Sequence, residues 1–175
     1  MNGTIATAGV RAHGLVAQSI SGGGGRVANE TGVITVGGQG GSSPKADLAQ
    51  ISAFGDIATA GDYAYGALAQ SVGGGGGDGG STFSISGGSI PAVAVGGDGG
   101  AAGDGGMAVI ETQSNAISTR GGNAHGLIAM SVGGGGGSGG DATSDAVSLT
   151  SLAIAGGANS GGDGDTAHVQ TSGSR

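Results

Sequence analysis

Apolar residues in this chain fall in short runs that alternate in steps of two and stop at glycine. One phrase occurs three times: His13-Gly14-Leu15-Val16-Ala17-Gln18-Ser19-Ile20, Tyr65-Gly66-Ala67-Leu68-Ala69-Gln70-Ser71-Val72 and His125-Gly126-Leu127-Ile128-Ala129-Met130-Ser131-Val132. The copies lie 52 and 60 residues apart. Each follows a shorter phrase (Ile5-Ala6-Thr7, Ile57-Ala58-Thr59, Ile117-Ser118-Thr119) and precedes a glycine run. A β-branched run ending in glycines comes next: Val33 to Gly38, Val93 to Gly97 and Leu152 to Gly157. A last piece closes the unit: Ala46 to Ile51, Met107 to Thr112 and Ala167 to Thr171. Period-two runs bounded by glycine predict short β-strands. No segment carries an apolar stripe at helical spacing.

Repeated strands predict an all-β fold, a parallel β-helix (β-solenoid) of three 52–60-residue repeats with Gly-rich loops. The units run from about 5 to 56, 57 to 116 and 117 to 175, within a single segment spanning 1–175. Four strands per unit fit two to three turns each. Six to eight turns, at about 4.8 Å per layer, make a rod of roughly 30 to 40 Å. The large residues of the phrase, Val16, Leu68 and Ile128 with Ile20, Val72 and Val132, are expected in the core. Ala17, Ala69 and Ala129, identical in all copies, are expected where packing is tight. Gln18 and Gln70 suit an amide ladder that Met130 interrupts.

Composition fits a thin core. Glycine supplies 47 of 175 residues, with two Phe and no Trp, against a usual glycine share of about 7%. Such a chain would suggest disorder, but only 10% of its residues are charged and its glycines recur with a period. The net charge is -7, and Arg11, Arg26, Lys45, Arg120 and Arg175 stand far apart. Nucleic acid is therefore an unsuitable partner, since phosphate neutralisation takes clustered basic residues. No apolar stretch is long enough to cross a bilayer as a helix, so this segment is expected not to insert in a membrane. There is no cysteine, hence no disulfide framework and no thiolate site.

The pattern Ile-x-Thr, then Ala-His/Tyr-Gly-x-x-Ala-Gln-Ser-Ile/Val and four or five glycines, resembles the glycine-rich repeats in passenger regions of large bacterial autotransporters and autotransporter adhesins. Ser21, ahead of the first glycine run, and Met130 depart from it. The resemblance implies a β-helical passenger at the bacterial cell surface or secreted, acting in adhesion or as a stalk. It implies a host-surface, matrix or cell-cell ligand without naming one. The repeats start at once and end without a closing element, so the chain reads as a fragment of a longer one. Exposed terminal strands invite end-to-end self-association.

Chemistry-bearing residues are few. His13 and His125 occupy the place of Tyr65, an exchange that a catalytic or metal-binding imidazole would not survive; a planar side chain lining a turn is expected. No catalytic or cofactor-binding residues are assigned, and the chain is read as no enzyme. Gly161 to Val169 nearly matches a calcium-binding nonapeptide, with its Asp one residue early and His168 at the apolar position. One string does not fill a calcium shell of six to eight oxygens. Asp98, Asp104, Asp163 and Asp165 are thus calcium candidates in a calcium-stabilised secreted module, against solvated turn aspartates otherwise. A β-helical polysaccharide-acting enzyme is the third reading, opposed by the scarcity of aromatic and basic residues. The glycine runs carry no nucleotide fingerprint, since no helix follows them. They read as loops leaving the solenoid or as close-packed backbone. Asn2 and Asn29 begin N-x-Thr strings of no bacterial consequence. Thr7, Thr59 and Thr119 are sparse candidates for a water-ordering face.

Overall fold

The computed structural model describes residues 3–87, 90–113, 116–147 and 150–172; Asn2 and Arg175 lie outside them. The chain makes three passes of five strands. The first holds β1 (Ile5–Thr7), β2 (Leu15–Ile20), β3 (Glu30–Gly32), β4 (Ile34–Val36) and β5 (Ala49–Phe54). The second holds β6 (Ile57–Thr59), β7 (Ala67–Val72), β8 (Thr82–Ser86), β9 (Ala92–Val95) and β10 (Ala108–Gln113). The third holds β11 (Ile117–Thr119), β12 (Leu127–Val132), β13 (Ala142–Ala146), β14 (Ser151–Ile154) and β15 (Ala167–Ser172). No helix occurs among the described residues.

Each strand pairs in parallel with its counterpart one pass on, giving five three-stranded sheets such as β1-β6-β11 and β2-β7-β12. Ile5 lies beside Ile57 and Ile57 beside Ile117; Gln18 lies beside Gln70 and Gln70 beside Met130. The passes are therefore layers of a β-solenoid-like stack. This corrects the expected turn count. One pass takes the whole 52- to 60-residue spacing, so there are three layers and not six to eight. A pass is long because its glycine segments run inside the layer instead of looping out.

Those segments pack by a period of three. In the middle layer the N–H groups of Gly73, Gly76 and Gly79 donate to Val132, Gly135 and Ser138 above. Those of Gly77 and Gly80 donate to Gly41 and Gly38 below, while Gly97, Gly100 and Gly103 donate across to Gly80, Gly77 and Gly74. A donor on one side every three residues is the repeat of a polyproline-II helix. Two such helices run antiparallel in each layer. Their inward positions have no room for a side chain: a Cβ on Gly76 would sit 2.0 Å from the Gly100 oxygen, and one on Gly79 2.0 Å from that of Gly97. Outward positions fall to Gly75, Asp78 and Ser81 on one helix and Asp98, Ala101 and Asp104 on the other. The second of the two readings of the glycine runs, close-packed backbone, is the one realised.

The apolar core lies between the β2-β7-β12 sheet and the β5-β10-β15 sheet. Ile51, Ala53, Ile57, Ala67, Ala69, Ala108 and Ile110 form it, flanked by Leu15, Ala17, Ile117, Leu127 and Ala129. The alanine expectation holds at Ala69, which is fully buried. The assignment of the larger residues to the core does not. Val16 is 49% and Ile20 66% exposed, Val132 is exposed, and Leu68, Val72 and Ile128 are half-buried on the outer face. The inward alternation of β7 is Ala67, Ala69, Ser71. In the middle layer the facing wall contributes Ile110, and the small Ala67 and Ala69 of β7 complete the space at native packing density.

A second, smaller interior lies between the β3-β8-β13 and β4-β9-β14 sheets, and it is largely hydroxylic. Ser84 Oγ lies 2.6 Å from Thr35 Oγ1, both buried, and Ser84 Oγ also donates to the Val93 carbonyl. At the opposite end of the layer, Arg11, Tyr63 and Asn123 occupy one stacked position with φ of 56°, 56° and 52°. This left-handed residue turns the chain between the first two strands of each pass.

Candidate functional surfaces

The stack presents apolar and polar outer faces. The β2-β7-β12 sheet turns out the columns Val16-Leu68-Ile128, Gln18-Gln70-Met130 and Ile20-Val72-Val132. The β4-β9-β14 sheet turns out Ile34-Val93-Leu152 and Val36-Val95-Ile154. Both faces carry large apolar columns, while the inward positions of their middle strands are small: Ala67, Ala69 and Ser71 in β7, and Ala92 and Ala94 in β9. Gln18 Nε2 donates to Gln70 Oε1 at 2.9 Å, the amide ladder expected from the phrase, with Met130 beside Gln70 in the third layer.

The β5-β10-β15 sheet is the polar face. Ser52-Glu111-Gln170 and Phe54-Gln113-Ser172 are its adjacent columns. They line a shallow groove of about 270 Å³. Among the described residues of its lining, Glu111 is the only carboxylate.

Polar side chains between layers mostly hold backbone. Asp56, Asp62, Asp78 and Asp98 accept the N–H groups of Ala116, Gly122, Ser138 and Gly157, each one layer up. Asp104 accepts that of Asp163 at 2.9 Å. The calcium candidates are thus placed as follows. Asp98 and Asp104 are exposed and engaged with the layer above. Asp163 lies over Asp104. Asp165 Oδ2 meets Lys45 Nζ at 2.8 Å, and its Oδ1 accepts the Thr166 N–H. Among the described residues no three carboxylate or imidazole side chains form a group able to hold a metal ion.

The histidines stack. His13 and Tyr65 rings are 4.7 Å apart and nearly parallel, and Tyr65 and His125 are 5.4 Å apart and tilted. Tyr65 N–H donates to His13 Nδ1 at 3.0 Å. His168 is exposed on β15, beside Val109. Thr59 is buried, and Thr7, Thr59 and Thr119 donate to the Ala12, Ala64 and Ala124 carbonyls. They therefore fasten a turn and offer no water-ordering face. Asn29 Oδ1 accepts the Ser81 N–H.

Sequence reasoning missed the phrase serines. Ser71 Oγ accepts the Gly106 N–H and donates to the Asp47 carbonyl, tying the two walls of the core together. Ser19 accepts the Asp47 N–H and Ser131 that of Asp165. Their identity in all three phrases was the available signal.

Among the described residues two ion pairs join layers. The Arg26 guanidinium, 2.6 Å from Asp78, holds that carboxyl below the ordinary 3.8, helped by the Ser138 N–H. Lys45 does the same for Asp165, helped by the Thr166 N–H, and Asp165 in turn raises Lys45 above 10.5. Depressed carboxylates add stability above 3.8 that is lost as pH falls through their folded values. The raised lysine adds stability that is lost only as pH climbs beyond 10.5. Melting midpoints are expected to stay level from about pH 5 to 9 and to fall on acidification, modestly because both pairs are exposed. A transition centred near neutrality would contradict this assignment.

Compared with family models, with curated proteins and with solved structures, the chain matches none.

Proposed function

We propose that this chain is a non-catalytic structural and display segment of a bacterial surface or secreted autotransporter passenger, serving as a stalk or in adhesion. Its finer plan is three 52- to 60-residue repeats, each closing one layer. The observation that carries the reading is the use made of polar side chains. Five aspartates bind the backbone of the layer above. The phrase serines bind the facing wall, and His13 stacks and accepts a backbone N–H. Those carboxylates, hydroxyls and that imidazole are spent on joining layers and walls.

A stack joined this way lengthens by adding layers in the same register, which is what a spacer requires. Its apolar outer columns supply contact area for a host-surface, matrix or cell-cell ligand. The bacterial surface location rests on the sequence resemblance. Glycoside hydrolysis takes two flanking carboxyl groups; the described lining of the groove on the polar face holds one, and of the two beside Lys45, Asp47 and Asp165, the latter is ion-paired with Lys45. A non-catalytic role is therefore preferred.

Two experiments test the reading. A far-UV circular dichroism melt should show a cooperative β transition with the same midpoint in calcium and in chelator. A transition seen only with calcium would favour the calcium-stabilised module and direct mutation to Asp98, Asp104, Asp163 and Asp165. Protease shaving of intact cells that produce the chain should release its peptides; retention inside the cells would overturn the display role.

A further inference from the structure

We infer that the groove on the outer face of the β5-β10-β15 sheet binds a neutral glycan, held by Phe54, Glu111, Gln113 and Gln170. The inference rests on the adhesive role proposed above and gives that role a ligand class.

The outward columns of this face differ from those of its neighbours. The β2-β7-β12 and β4-β9-β14 sheets turn out mainly Val, Leu and Ile. The β5-β10-β15 sheet turns out Gln50-Val109-His168, Ser52-Glu111-Gln170 and Phe54-Gln113-Ser172. Three of the chain's six glutamines and one of its two phenylalanines are gathered here. Closing a layer does not call for such residues, since β-branched side chains serve on the other faces. The amide of Gln18 is committed to its neighbour Gln70. Among the described residues no such bond ties down the side chains of Glu111, Gln113 or Gln170. Phe54 is 44% exposed, so much of its ring meets solvent.

The chemistry of the lining selects the ligand. A carboxylate accepts hydrogen bonds and an amide both accepts and donates, which matches hydroxyl groups that do both. Within a column these groups recur one layer apart, about 4.8 Å, and the two columns stand two residues apart along the strands, about 6.6 Å. That grid is on the scale of one sugar ring, and the groove of about 270 Å³ takes a short stretch of glycan. The Phe54 ring offers an apolar surface to the C–H face of a pyranose. Glu111 is the one charged group in the described lining, and the chain carries a net charge of -7. Acidic glycans are therefore repelled and neutral ones are not. An extended peptide is disfavoured for another reason. Peptides add as strands to open sheet edges, whereas the backbone of β10 is already paired on both sides, with β5 and with β15. A single carboxylate holds a sugar without cleaving it.

The test is titration calorimetry of the whole chain with cellotetraose, chitotetraose, mannotetraose and galactotetraose, up to about 10 mM. A heparin tetrasaccharide serves as the acidic comparison and an extended Ser-Thr peptide as the peptide comparison. At least one neutral tetrasaccharide should bind, and more tightly than either comparison. Phe54→Ala and Gln113→Ala should each weaken that binding about tenfold or more, with the dichroism melt unchanged. Phe54→Tyr keeps the ring and should bind as the parent does, and so should Gln18→Ala, which lies on another face. Should Phe54→Ala fail to fold, Gln113→Ala and Gln170→Ala decide. A folded chain that binds none of the neutral sugars overturns the inference. Tighter binding of the acidic sugar or of the peptide overturns it as well, and so does sugar binding indifferent to the groove variants. None of these results touches the display role, which protease shaving of intact cells decides separately. Sugar binding by a chain that shaving leaves inside the cell would keep the groove and remove the display role.

Discussion

Replacing Gly77 by alanine is expected to abolish the cooperative melt of the chain, while the same replacement at Gly75 leaves it intact. Gly77 donates to the Gly41 carbonyl at 2.8 Å and accepts the Gly100 N–H at 2.7 Å. A Cβ there would sit 2.0 Å from the Gly25 oxygen and 2.9 Å from the Gly24 carbonyl carbon. Optimal carbon contacts need about 3.5 Å or more. The atoms in the way are backbone, and the Gly25 oxygen is held by the Gly41 N–H across its own layer, so no side chain can swing aside. The cost should exceed the roughly 1–3 kcal/mol usual for overpacking, a large part of a domain's total stability of about 5–15 kcal/mol. Gly75 takes the outward position of the same helix. Its Cβ would meet the Gly135 oxygen at 3.5 Å, an ordinary contact. Alanine there restricts the unfolded chain and is expected to be neutral or stabilising by up to about 1 kcal/mol. Urea or thermal melts of the two variants measure the difference. Equal effects would refute the three-residue period.

That period stands openly in the sequence, in Gly73-Gly74-Gly75-Gly76-Gly77-Asp78-Gly79-Gly80-Ser81 and in Gly96-Gly97-Asp98-Gly99-Gly100-Ala101. Two inward glycines followed by one free position is the pattern of helices packed on two sides. It escapes a search for strands and helices, whose periods are two and 3.6. The strand content, the parallel stacking and the equivalence of the three phrases were legible because glycines bound every run. The height of the stack was not. Converting strand number into turns assumes that loops leave the layer, whereas the glycine segments consume chain length within it. The β8 strand was also missed, since Thr82, Ser84 and Ser86 face inward and Phe83 and Ile85 outward. That alternation is inverted relative to an ordinary half-buried strand. Of the candidate site residues, the aspartates were legible as turn residues binding local backbone. The backbone donors to Asp98 and Asp104 lie a layer away, about sixty residues on in sequence, and only the stacking register brings them together.

The inverted alternation yields the second large expected effect. Ile110→Asp should eliminate the folded state, whereas Val16→Asp should shift the melting midpoint little. Ile110 is fully buried in the middle layer, between the paired Ile51 and Val169 and among Ala67, Ala69 and Ala108. The described residues of that cluster are all apolar. A carboxylate there loses its hydration with no partner to replace it, and the lost isoleucine leaves a void. Together these should cost roughly 4 kcal/mol or more. The neutral isostere Ile110→Asn should be nearly as damaging, because its amide would find no hydrogen-bond partner either. Val16 sits on the outer face of the first layer at 49% exposure, where an added carboxylate remains hydrated. Its effect should be within about 0.5 kcal/mol beyond a small loss of β propensity. By size and hydrophobicity alone the two positions rank alike. What separates them is the facing wall: Ala69 and Ile110 occupy one shared thickness, and a second large residue in place of the alanine would have to displace the first. If Val16→Asp unfolded the chain and Ile110→Asp did not, the inner and outer faces would have to be exchanged, along with every column of outward side chains assigned to recognition.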